Sequence, residues 1–165
     1  MNFISQLKFS KGSTLLELIA VIFIITVGIV GVSSLITQTI SLAASSSQKL
    51  TAIYLAQEGI EIVRNIRDTN WVAGGDWNNG LLDCSSGCEA NYNDVVLSPW
   101  SGTGTILNLE PTGFYGYYNP GGSPTPFKRK IMITQSGLDI LKVSVSVEWQ
   151  NHSVSAQENL YNWRE

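Results

Sequence analysis

Three hydrophobic patterns follow one another along the chain, and each predicts a different element. The first is a continuous run. Leu15 to Ile36 is apolar almost throughout, interrupted by a single carboxylate, Glu17. At about 1.5 Å per residue, its roughly 22 residues reach about 33 Å, enough to cross the hydrocarbon core of a bilayer. No formal charge occurs from Leu18 to Gln48, and the composition drifts from Ile and Val toward Ser, Thr and Ala. That drift predicts a helix continuing past the span. Gly28 and Gly31 inside it would loosen the helix locally or let neighbouring helices approach closely.

The second pattern has helical period. Leu50, Ile53, Ile60 and Val63 form a stripe with Tyr54 and Ile66 alongside. Glu58, Glu61, Arg64, Arg67 and Asp68 would then mark a solvated side, with Arg64 and Asp68 at i,i+4 spacing. The helix should end near Asn70, ahead of Gly74-Gly75. The third pattern has period two. Leu141, Val143, Val145, Val147 and Trp149 alternate with Lys142, Ser144, Ser146 and Glu148, so one face is buried and one is wet. Strands are also expected at Thr105–Leu109, Phe114–Tyr118, Lys128–Thr134 and Val154–Tyr161. Pro111-Thr112-Gly113, Gln135-Ser136-Gly137 and Asn151-His152 read as turns.

These elements divide the chain into residues 1–12, a span at 13–36, an amphipathic helix at 37–70 and a globular part at 71–165. The stretch 71–126 reads as a long irregular connection with short strands. The economical fold is α+β: a long N-terminal helix whose C-terminal half packs on a small antiparallel meander.

Charge and cysteines change the picture only slightly. Formal net charge is −3, and Lys8 and Lys11 supply +2 before residue 13, leaving −3 − 2 = −5 for the rest. That balance argues against a nucleic-acid partner held by phosphate contacts. Lys128-Arg129-Lys130, the one local basic cluster, reads as a solvated strand end. Cys84 and Cys88 bracket Ser85-Ser86-Gly87, and outside the membrane they are expected to form a local disulfide that pins a turn. A zinc site would need two more thiols or imidazoles, and only His152 exists, read as an exposed turn residue. Asp76, Asp83, Glu89 and Asp94 do not follow an EF-hand spacing. No metal or cofactor is expected, and no phosphate loop or Gly-x-Ser-x-Gly motif points to an enzyme. Trp71, Trp77, Trp100, Tyr115, Tyr117 and Tyr118 could form a sugar- or surface-binding patch, but core and loop anchoring is the economical use.

Glu17 remains to be explained. An acid costs about 2.5–3.5 kcal/mol near a bilayer centre and less near an interface, so one inside a span usually has a partner. A secretory signal does not fit, because its apolar region would be shorter and its cleavage site would follow it. A plain anchor explains the length and the cytoplasmic lysines, but neither Glu17 nor the Gly after Lys11. The stretch Lys11-Gly12-Ser13-Thr14-Leu15-Leu16-Glu17 resembles the processing motif of type IV pilins and pseudopilins. It departs at Ser13, where that family more often has Phe or Met. The segment Tyr54 to Asp68 and the closing Leu160-Tyr161-Asn162-Trp163-Arg164 are similar to minor pilins of the pilus-modification class.

The resemblance implies a pilin fold and a subunit cleaved by a prepilin peptidase between Gly12 and Ser13, with Ser13 a candidate for N-methylation. Assembly would run through Thr14, Leu15, Leu16 and Glu17. The implied partners are other pilin subunits, the peptidase, an inner-membrane assembly platform and the lipid bilayer. The implied location is a single-pass membrane position, N-terminus cytoplasmic and globular domain outside, and then a pilus or pseudopilus. Two alternatives stay open: a pseudopilin of a type II secretion or DNA-uptake machine, and a membrane-anchored surface-binding module.

Overall fold

A computed structural model describes residues 13–117 and 121–163, with Ser13 as backbone only. One long helix, α1 (Ser13–Val72), precedes seven strands. They are β1 (Cys88–Glu89), β2 (Ser98–Pro99), β3 (Ile106–Leu109), β4 (Tyr115–Gly116), β5 (Ser123–Gly137), β6 (Ile140–Trp149) and β7 (His152–Tyr161), with a 3-10 turn at Leu82–Cys84. This is the expected α+β arrangement, a long N-terminal helix followed by an antiparallel sheet, and it is consistent with a pilin-like fold. The chain divides into two compact units, Met1–Ser46 and Ser47–Glu165.

In the second unit β5, β6 and β7 form an antiparallel meander, and β5 is its pivot. One edge of β5 pairs with β6 from Phe127 to Gly137, while the other carries β1 at Ile131 and β3 at its start. Pro124 and Pro126 fall before the first β6 partner, where the strand has only one neighbour and a missing N–H does little harm. This is why β5 begins at Ser123 rather than at the expected Lys128. The β5–β6 turn is Leu138-Asp139, not Gln135-Ser136-Gly137, because the strand runs on through an irregularity between Gln135 and Gly137. The next turn is Gln150-Asn151, with Gln150 in the left-handed region (φ 51°), and His152 is the first residue of β7. β6 follows its sequence pattern: Leu141, Val143, Val145, Val147 and Trp149 are all buried. Of the short strands in 71–126, β3 is as expected apart from its first residue, β4 is only Tyr115–Gly116, and β1 and β2 are additional to the expected ones; Tyr118 lies outside the described residues.

The second-unit part of α1 packs on this sheet through a face the hydropathy stripe only partly marks. Ile60, Val63 and Ile66 are buried, but Leu50 and Tyr54 are 51% and 61% exposed. Ala52, Leu55, Ala56 and Ile62 are buried as well. Small residues win because the helix approaches closely: a Cβ placed on Gly59 would lie 2.7 Å from Val145 Cγ1 and 3.2 Å from Arg129 Cδ. The helix ends at Val72 on the expected glycines. The N–H of Gly74 (φ 74°) reaches Trp71 O at 3.1 Å and that of Gly75 reaches Asn70 O at 3.1 Å, the paired bonds of a Schellman cap.

Candidate functional site

The first candidate is the N-terminal stretch of α1. From Thr14 to Ser47 every residue is exposed, including every large apolar side chain from Leu15 to Leu42 at 46–72%. An 18-residue window here has a mean hydropathy of 2.8 with none of it buried. So much apolar surface in water would be unfavourable by about 25 cal/mol per Å², which makes a bilayer or other apolar partners its natural environment. Three threonine hydroxyls of this stretch are satisfied within the helix itself. Thr26, Thr37 and Thr39 return their hydroxyls to the carbonyls of Phe23, Ser33 and Leu35 at 2.9, 3.1 and 2.8 Å. A single membrane span is compatible with these properties. The structure leaves open space around Gly28 and Gly31 as well.

Thr14, Leu15, Leu16 and Glu17 occupy the first turns of this helix, all exposed. Glu17 makes no ion pair or hydrogen bond among the described residues, so no group there offsets the burial of its charge. Lys8, Lys11 and Gly12 lie outside the described residues, as does the side chain of Ser13.

The second unit places its charges differently from the sequence reading. Arg129 is not at a solvated strand end. Period two along β5 puts it inward with Phe127, Ile131 and Ile133, and it is fully buried. Its Nη1 donates to Leu55 O on the helix at 3.2 Å, and its Nη2 to Ala90 O just after β1 at 2.7 Å. Glu58, read as a surface residue, is in fact its counter-ion, with Oε1 3.3 Å from Nη1. That contact lacks hydrogen-bond geometry, and both Glu58 Oε1 and Arg129 Nε are buried without a hydrogen bond. The Tyr117 hydroxyl donates to the Arg129 backbone carbonyl at 2.9 Å. Burial pushes the Tyr117 pKa up to about 12, with Arg129 pulling the other way.

Arg67 also leaves the solvated side. It is 8% exposed, its guanidinium carbon lies 4.6 Å from the Trp71 ring centroid, and it pairs with Asp68 at 2.8 Å. Arg64 does not pair with Asp68. Its Nη1 pairs with Glu61, its Nη2 reaches both carboxylate oxygens of Glu158 of β7 at 2.7 and 2.8 Å, and the Glu158 hydrogen bond raises its pKa first of all.

Cys84 and Cys88 are joined, with Cα atoms 5.2 Å apart, and both are buried. Among the loop acids, Glu89 accepts from Thr105 N at 2.8 Å and Asp94 from Asn91 N at 2.7 Å, which ties turns together. The aromatics serve mainly as anchors. Trp71 and Trp77 are buried and stacked, Tyr115 and Tyr117 pack on the core, and Trp100 lies under the Lys130 ammonium. Trp163, edge-on to Trp71, stays 67% exposed.

No protein-family model, curated protein or solved structure matches this chain.

Proposed function

We propose that the protein is a minor pilin-like structural subunit, cleaved after Gly12 and assembled through its N-terminal helix. The observation that carries the reading is the order of three features: Lys11-Gly12, then Glu17, then an exposed apolar helix holding no other formal charge before Lys49. The α+β fold supports it, since pilin-like subunits need a long exposed helix and a self-sufficient globular part.

Cleavage would free the Ser13 amino group, which is largely cationic near neutral pH. A neighbouring subunit's Glu17 could pair with it as a subunit leaves the bilayer and docks. Burying either charge alone is costly, and burying them together removes much of that cost. Glu17 would then select one axial docking position among many similar apolar ones.

Amino-terminal sequencing of the membrane-extracted protein tests the processing step. A mature chain beginning at Ser13 is expected, and an intact Met1 would reduce the protein to a simple anchor. Glu17→Ala should preserve insertion and cleavage while impairing incorporation into fibres. Normal incorporation of that variant would end the docking role. The pseudopilin reading shares the same leader and helix; recovery of the subunit in sheared surface fibres separates the two.

A further inference from the structure

We infer that the oxidation state of Cys84 and Cys88 sets how firmly α1 docks on the sheet, with Arg129 as the connection. The guanidinium holds two backbones at once: Leu55 O on the helix and Ala90 O two residues beyond Cys88. Both lie in the buried core, where Ala90 is 1% and Arg129 0% exposed. The Ala90 carbonyl is positioned by its short link to the disulfide. Cys84 ends the 3-10 turn, Gly87 N donates back to Cys84 O at 3.2 Å, and Cys88 pairs with Ile131 two positions along β5 from Arg129.

Closing this bond takes two protons and two electrons from the thiols. An external disulfide accepts them by exchange: one cysteine thiolate attacks it and expels a thiolate. The second cysteine then attacks the mixed disulfide and expels the other, so the external partner leaves as two thiols. In the reduced chain the segment 85–90 still has its ladder pair to β5, its two pairs to β2 and the bonds from Trp100 N to Gly87 O and from Thr105 N to Glu89. The covalent closure at Cys84 is gone, however, and Ala90 O departs from the guanidinium more often. A buried cation cannot lose an acceptor cheaply. Its least costly relief lies on the Glu58 side, where the side chain is 32% exposed and water can follow if the helix lifts at Leu55–Gly59. Reduction therefore loosens the helix, and by linkage a docked helix makes the disulfide harder to reduce.

Amide exchange on the full chain in detergent micelles, poised oxidised or reduced with glutathione, reads this directly. On reduction, amides of residues 55–63 should exchange about tenfold faster or more, while β6–β7 amides stay within about threefold. Arg129→Lys keeps the charge but cannot bridge both carbonyls. In it the oxidised helix already exchanges fast, and reduction adds less than about threefold. Unchanged exchange at 55–63 in the reduced wild type overturns the inference. So does equal acceleration in Arg129→Lys, which would show the disulfide acting through β1 packing alone. If Arg129→Lys does not fold, Gly59→Ala, which loosens docking without touching the cysteines, should make the disulfide about tenfold easier to reduce. Identical reducibility in that variant also overturns it.

Discussion

Gly59→Ala should destabilise the second unit, although helix propensity alone says the opposite. Ala is worth roughly 1 kcal/mol over Gly in a helix interior, so at a solvated position the change would help. Here the new Cβ would meet Val145 Cγ1 at 2.7 Å, with Val145 Cγ2 and Arg129 Cδ each at 3.2 Å. Val145 is 0% exposed and β-branched, in the middle of β6, with a stiff side chain and little room to turn. Overpacking of this kind costs about 1–3 kcal/mol. Lifting the helix to relieve it would also stretch the 3.2 Å bond from Arg129 Nη1 to Leu55 O, a hydrogen bond from a charged donor worth about 1.5–3 kcal/mol. The losses exceed the propensity gain, leaving a net destabilisation of about 1–3 kcal/mol.

Thermal unfolding of the full chain, followed by near-ultraviolet circular dichroism of its tryptophans, measures this. A Tm lower by roughly 5–15 °C is expected for a unit of this size. Gln57→Ala, on the exposed side of the same turn, should stay within about 0.5 kcal/mol of wild type. The decisive variant is Gly59→Ala with Val145→Ala, which removes both clashing γ-carbons. Its cost should fall at least about 1 kcal/mol short of the sum of the single costs, because the two sites share one contact. A Gly59→Ala protein as stable as wild type, or strictly additive behaviour of the pair, would refute the close-approach argument.

The remaining predictions use the charges. Tyr117 has a folded pKa pushed up to about 12 from the ordinary tyrosine value of 10.0, so its protonated form is favoured in the fold. Its contribution to stability is therefore complete below pH 10 and is lost as the pH rises toward 12. Chemical unfolding across that window should show the loss in wild type and a shallower slope in Tyr117→Phe. Arg64 and Glu158 are part-exposed, so Arg64→Ala should cost under about 1 kcal/mol, and the difference should shrink in high salt. Glu58→Gln leaves Arg129 buried without its counter-ion and should cost more than Arg64→Ala by urea titration; a smaller cost would mean solvent screens the buried pair.

Which parts of this arrangement could be read from sequence follows from where the relevant signal lies. The α1 span, the Gly74-Gly75 stop and the β6 alternation are local: a few neighbouring residues carry the whole pattern. Arg129 was misread although its signal was also local. Phe127, Ile131 and Ile133 continue the β6 style of alternation on β5 and place residue 129 inward. A charge triplet suggested water, and the period suggested the core; the period prevailed because two carbonyls and Glu58 lay within reach. Those partners come from residues 39 to 74 positions away, which no window along the chain displays. The same distance hid the true docking face of α1. Ala52, Ala56 and Gly59 score weakly as hydrophobic residues, yet their smallness is what admits Val145 and the arginine. The two units therefore hold their ionic groups by opposite means. In the second, the buried Arg129 meets its acceptors within the unit. In the first, Glu17 meets none among the described residues; in the assembly proposed above, the freed Ser13 amino group of a neighbouring subunit would supply the partner.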